Sequence, residues 1–215
     1  MQWNKFGCRF VASLVVILGL FGTPGQALAE SAALSAADQA DVARAEAYLN
    51  GIKSLKSRFI QVSPEGGLAA GGFWLRRPGR LRFEYDPPVP YLILANTIWL
   101  IFYDAELGQP QHWPINETPL GVLLADTISF SESTDIEGVS RGNGRLAITL
   151  RHKTRPEDGT ISLIFSDNPL ILRQWRIIDA LGRPTTVTLD QIERDLELPI
   201  TLFVLPENFR PDLKR

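Results

Sequence analysis

The sequence predicts an α+β fold in which one helix precedes a long antiparallel sheet, and three features point there. Apolar residues recur at helical spacing over 38–55, the period changes to two after Leu55, and the alternating runs that follow are separated by tight-turn signals. No internal repeat, linker composition or shift in composition interrupts residues 30–215, which are therefore expected to form one domain.

Before the helix comes a segment that reads as an address. Lys5 and Arg9 precede an apolar run from Phe10 to Phe21, and Ala27-Leu28-Ala29 follows it. That order is the pattern of a secretory signal peptide over residues 1–29, with cleavage expected after Ala29. The run is shorter than the roughly 18 residues of a membrane span, and Gly19, Gly22 and Pro24 break its end. Cys8, the sole cysteine, stands ahead of the apolar run, so it is misplaced for the lipidated first residue of a lipoprotein. The exported chain is expected to carry neither thiol nor lipid, and to be held by its core rather than by disulfides.

In the helical window, Val42, Ala45, Leu49 and Ile52 make a narrow, alanine-rich stripe. Ser35 and Asp38 form a loose capping box at its start, and Gly51 weakens it near its end. Such a stripe suits a helix laid across a β-surface. From there the chain alternates. Phe73, Leu75 and Arg77 share one strand face, Pro78-Gly79 turns, and Leu81, Phe83 and Tyr85 share a face of the next strand, with Arg80, Arg82 and Glu84 opposite. Leu146, Ile148 and Leu150, then Ile161, Leu163 and Phe165, then Val187 and Leu189 repeat the alternation between turns at Gly142-Asn143-Gly144, Asp158-Gly159 and Leu181-Gly182. These are hairpins in series with one apolar and one solvated face, and most of Arg76, Arg77, Arg80 and Arg82 read as a solvated strand face. Residues 118–125 depart from the pattern by being apolar at consecutive positions. They form a short helix or a buried strand; Pro119 at a first helical position, with Leu120, Leu123 and Leu124 on one face, favours the helix.

The residues that carry chemistry are sparse. There is no G-x-S-x-G elbow, no phosphate loop, and only His112 and His152, without metal-ligand spacing, so no catalytic residue, metal or cofactor is predicted. Each histidine reads as a strand residue with a satisfied ring. Removal of Lys5 and Arg9 with the leader leaves 20 basic against 24 acidic residues, a net charge of −4. Such a chain has no electrostatic attraction to nucleic acid. Apolar sheet surface is what the chain offers in quantity, and periodicity alone reads it as a core.

The segment Ser57-Arg58-Phe59-Ile60-Gln61 and the block Gly71-Gly72-Phe73-Trp74-Leu75-Arg76-Arg77-Pro78, ending in the aromatic strand to Tyr85, resemble the outer-membrane lipoprotein carrier family, LolA. The resemblance extends through 118–125, Pro169-Leu170-Ile171-Leu172-Arg173-Gln174-Trp175, and Asp179-Ala180-Leu181-Gly182 with the strand behind it. It implies an incomplete, strongly curved antiparallel barrel, a half-barrel, covered by the N-terminal helix and a short lid helix. It further implies an acyl-chain cavity at Phe73, Leu75, Leu81, Phe83 and Tyr85, a lid carrying Leu120, Leu123 and Leu124, and Arg77 as the latch that bonds to lid-loop backbone. An arginine facing apolar neighbours is costly unless its donors are engaged, which fits that role. The implied protein is a monomeric periplasmic carrier of acylated lipoproteins, loaded by an inner-membrane ABC-type exporter and unloaded at an outer-membrane receptor. A general lipid- or glycolipid-binding protein of the same fold is the alternative, and a lipid-ester hydrolase a more distant one. Two positions depart from the family pattern. Asn96-Thr97 replaces the usual turn before Ile98-Trp99-Leu100-Ile101-Phe102-Tyr103, a run apolar on both parities that leaves the facing of Trp99 open, and Gly121 stands in the lid, where a looser gate is expected.

Overall fold

The computed structural model describes residues 34–206; the predicted leader, with Cys8 and the cleavage site after Ala29, lies outside them. Helix α1 (Ala36–Asn50) starts as the sequence indicates. The Ser35 hydroxyl accepts from the Asp38 amide at 3.1 Å and the Asp38 carboxylate accepts from the Ser35 amide at 3.1 Å. The helix ends earlier than the predicted 38–55. Gly51 closes it by donating to the Ala47 carbonyl, and Leu55 already belongs to β1 (Ser54–Val62). Ile52 and Leu55 mimic a further helical turn in the sequence because they too are buried, but the sheet buries them.

From β1 the chain runs as a meander through β2 (Leu68–Arg76), β3 (Arg80–Tyr85), β4 (Tyr91–Asn96), β5 (Trp99–Asp104) and β6 (Pro110–Pro114). A second meander comprises β7 (Thr134–Gly142), β8 (Arg145–His152), β9 (Thr160–Asp167), β10 (Leu170–Ile178) and β11 (Pro184–Arg194). β11 pairs antiparallel with β1, joining the two into one 11-stranded sheet of order β6-β5-β4-β3-β2-β1-β11-β10-β9-β8-β7. The strands at its two edges, β6 and β7, do not pair with each other, so the barrel is left open between them. The chain between them, residues 115–133, holds a 3₁₀ turn (Ile115–Glu117), α2 (Gly121–Leu124) and α3 (Phe130–Ser133). The Asn143-Gly144 turn joining β7 to β8 has both φ angles positive, +50° and +69°, which matches the right-handed twist of the flanking strands.

The inner face carries the core. Phe59, Phe73, Phe83, Tyr85, Trp175, Ile148, Leu163 and Phe165 are at most 5% exposed, and α1 adds Ala45 and Leu49 to the same cluster. The outer face is less wet than the alternation predicts. Arg82, placed on the solvated side by parity, is 7% exposed and donates to the Leu202 carbonyl at 2.9 Å and to Glu84 at 2.7 Å. Arg76 donates to the Leu198 carbonyl at 2.6 Å and the Ser54 hydroxyl to that of Leu196 at 2.7 Å. These bonds strap residues 196–205 across the outside of the sheet, where Phe203 is buried and Leu205 packs on Leu92 and Leu94. Reading the arginines as a solvated face is thus corrected for Arg76 and Arg82, whose carbonyl partners lie some 120 residues downstream, out of reach of any local pattern.

An ionic cluster ties α1 to the second meander. Arg141 of β7 pairs with Asp38 at 2.8 Å and with Asp41, while Arg44 pairs with Asp41 and, at 2.9 Å, with Asp167 of β9. The Ser35 hydrogen bond, and after it the Arg141 guanidinium, hold the Asp38 carboxyl below its usual 3.8. A depressed carboxylate pKa contributes stability that is complete above the unfolded value and is lost as pH falls through the folded one. This tether is therefore expected to be intact at neutral pH and to fail only below about pH 4. An NMR titration should place the Asp38 midpoint below 3.8, and Arg141→Gln should move it back up.

Candidate functional site

Of the five residues expected at the cavity, the structure brings four together. Phe73 and Leu75 on β2 and Leu81 and Phe83 on β3 line an internal space with Leu49, Ile52 and Trp175, closed over by Leu120, Leu123, Leu124 and Ile128. Its volume is about 20 Å³, room for about one water and far less than an acyl chain needs. Tyr85 shares the inner face but lies outside this lining. It stacks edge-on with Phe59, 5.0 Å between centroids, and donates its hydroxyl to Gln61 at 2.8 Å. Burial pushes its pKa up to about 12, so it remains a neutral donor. The interior is filled mainly by rings, with Phe73 against Phe83 at 4.6 Å and Trp175 against both at 5.7 and 6.0 Å.

The lid is shorter than the predicted segment. α2 is a single turn, with Pro119 and Leu120 ahead of it, because the chain first makes the 3₁₀ turn at Ile115–Glu117 and Gly121 then packs back on it. A Cβ on Gly121 would lie 2.6 Å from the Ile115 carbonyl oxygen. The glycine thus permits a close approach within the lid, where the sequence alone suggested only weakness. Gly121→Ala is accordingly expected to loosen the lid, raising amide exchange across residues 115–128 while the sheet stays protected. Leu123 and Leu124 are buried on the underside of the lid, and Leu120 is half-buried at its edge.

Arg77 sits where β2 ends and reaches two elements at once. Its Nε and Nη2 donate to the Ala125 carbonyl at 3.1 and 2.9 Å, and Nη2 also to that of Asp126 at 2.9 Å. On the other side Nη1 donates to the Leu49 carbonyl and Nη2 to Asn50 Oδ1 at 3.1 Å. Burial lowers its pKa and the nearby Asp126 charge opposes that; an arginine so placed stays cationic. One guanidinium therefore bridges the end of α1 and the loop after α2.

Sequence reasoning missed Asn50. Its side chain donates to the Ile128 carbonyl and accepts from the Ile128 amide, both at 2.8 Å, pairing with the lid backbone as a strand would. Glu46 of α1 accepts from the Phe130 amide at 2.6 Å and so satisfies a donor at the start of α3. The Gly79 amide adds a bond to the Leu124 carbonyl at 2.9 Å. A polar residue at a helix end carries no local signal of what lies across from it. Asn50→Ala should cost about 1–3 kcal/mol, because it strands both backbone groups of Ile128; chemical denaturation, with amide exchange at Ile128, would measure it.

On the far side of the lid a larger chamber, about 820 Å³, opens against β8 and β9. Leu124 and Ile128 line both spaces, so the lid is the partition between them. His152 borders the chamber, and its Nδ1 lies 3.3 Å from the Thr154 amide and 3.2 Å from the Thr154 hydroxyl, a neighbour that orients the ring. His112 stands on β6, with Trp99 edge-on at 6.4 Å. Trp99 shares the strand parity of Ile101 and Tyr103, which pack with Leu92 and Leu94 on the outer face, so it faces away from the cavity and is 41% exposed. Among the described residues no group of histidine, cysteine and carboxylate side chains could hold a metal ion, and no helix is long and apolar enough to cross a membrane.

Residues 50–206 match the family described as outer membrane lipoprotein carrier protein LolA. The outer-membrane lipoprotein carrier protein of Alkalilimnicola ehrlichii is 30% identical over 203 residues, covering 90% of this chain and 88% of that protein. The protein of the same description from Legionella pneumophila strain Corby is 31% identical over 167 residues, covering 74% of this chain and 81% of that one. Among solved structures, a putative outer membrane lipoprotein-sorting protein domain from Vibrio parahaemolyticus superposes with a TM-score of 0.50 at 10% identity, covering 76% of this chain and 94% of that one, a likeness of fold.

Proposed function

The chain belongs to the LolA family of outer-membrane lipoprotein carriers, and from that premise we propose that it is a periplasmic shuttle, exported by a cleaved leader at residues 1–29. In this reading it takes the acyl chains of lipoproteins from an inner-membrane ABC-type exporter and yields them to an outer-membrane receptor, as a monomer of one carrier domain over residues 30–215. The observation that carries the reading is the construction of the cavity: an apolar sheet face whose cover is held by bonds donated by Arg77 and by bonds that Asn50 both donates and accepts, rather than by continuous sheet.

The physics requires such a cover. Each methylene taken from water is worth about 0.8 kcal/mol, so a multiply acylated protein crossing an aqueous compartment alone would face tens of kcal/mol. A carrier must offset that and still release its cargo. A cavity of only about 20 Å³ beneath the lid leaves little empty apolar surface, and in this reading closure onto that packed state helps to expel the chains. Arg77 is the latch in this scheme, and Phe73, Leu75, Leu81 and Phe83 are the surface that the chains displace rings to reach.

The test is to incubate the mature protein with inner-membrane vesicles that carry labelled lipoproteins and the exporter. Release of a soluble one-to-one complex that depends on ATP is the expected result. Uptake of free labelled lipid with no lipoprotein release would replace the carrier by a general lipid-binding protein.

A further inference from the structure

The lid borders two unequal spaces, about 20 Å³ against β2 and β3 and about 820 Å³ against β8 and β9. Arg77 holds the lid only at its downstream end, at Ala125 and Asp126. The upstream end is held from the opposite wall. There Arg155, in the loop between β8 and β9, donates through Nη2 to the Asn116 carbonyl, and its Nη1 lies 3.6 Å from the Glu117 carboxylate. Asp158, 3.2 Å from the Arg155 Nε, steers the guanidinium from within its own loop. The side chain is 25% exposed and its bond to Asn116 lies at the surface, so water competes with it and only part of a charged donor's bond strength remains.

We propose that Arg155 is a second positioning residue of the lid, a stay on the chamber side that must let go, together with Arg77, before the cavity can open to acyl chains. The proposal rests on the carrier reading for its purpose but not for its geometry. Two cations on opposite walls pin the two ends of residues 116–126, so neither alone sets the gate. Because both stays must break, their contributions to opening multiply.

The experiment compares the mature protein with Arg155→Gln, Arg77→Gln and the double variant by hydrogen exchange, followed by uptake of a fluorescent diacylated lipopeptide. Arg155→Gln is expected to accelerate exchange of amides 115–128 roughly tenfold, with β8 and β9 unchanged, and to raise the rate of probe entry by a similar factor. The double variant should show the product of the single effects, and Arg155→Lys should recover part of the protection. Exchange within twofold of the parent across residues 115–128 would overturn the stay, as would loss of protection spread through β8 and β9, the mark of a merely structural residue. Exchange needs no cargo, so the two ideas separate. A loosened lid in a protein that takes up no acylated probe would refute the carrier reading alone, and normal uptake with an unloosened lid would refute the stay alone.

Discussion

On the proposed carrier function, Arg77→Leu is expected to leave a folded protein that accepts cargo and fails to pass it on. The guanidinium serves acceptors on two elements, the Leu49 carbonyl and Asn50 side chain on α1 and the Ala125 and Asp126 carbonyls in the lid. Bonds from a charged donor are worth about 1.5–3 kcal/mol each where buried. The lid carbonyls lie near solvent and water can replace part of what is lost, so the net effect on lid closure is set at about 3 kcal/mol, or roughly a hundredfold. Leucine adds apolar surface where the cation stood, which favours retention of acyl chains further. Complexes with lipoprotein should therefore form and accumulate, while delivery to the receptor drops by about two orders of magnitude. Transfer at the parental rate would falsify the latch. The global unfolding midpoint should shift much less than lid exchange does, because the sheet beneath is held by its own ladders.

Trp175→Ala should produce the largest loss of stability from a single site. The indole is 1% exposed, packs against Phe73 and Phe83, and lines the cavity beside Leu172 and Leu189. Truncating a buried tryptophan to alanine costs about 3–5 kcal/mol. That is a large part of the total stability of about 5–15 kcal/mol available to a domain. Urea denaturation should show a fall in midpoint with little change in slope. The void left behind is apolar and so should stay dry and bind small apolar probes without lid opening. A loss below about 1 kcal/mol would mean that neighbouring rings close the gap, and that the interior is more adaptable than its packing indicates.

Much of this fold is legible in local pattern. Alternation marks Phe73, Leu75, Leu81 and Phe83 as sharing a face because the side-chain period of a strand is two, and pairing of Phe73 with Phe83 and of Leu75 with Leu81 keeps them together. The capping box at Ser35 and Asp38 and the Asn143-Gly144 turn are short-range features whose chemistry is complete within a few residues. Local pattern fails where burial has two possible causes. Ile52 and Leu55 extend the helical spacing of α1 although Gly51 has ended it, and Arg82 follows a solvated parity although the strap of residues 196–205 covers it.

What the sequence determined by itself was therefore the kind of structure and the residues that face inward: a capped helix, then hairpins with one apolar face, with Arg77 among the inward set. Those features depend on backbone period, capping and turn chemistry, which act between near neighbours. Tertiary structure alone decided how the sheet closes through β11 and β1, that it stays open between β6 and β7, and that Asn50, Glu46 and Arg155 hold the segment across the gap. A hydrogen bond needs its donor and acceptor within about 3 Å whatever their separation along the chain. Partners such as Asn50 and Ile128, 78 residues apart, meet only once the whole sheet has curved to bring them together.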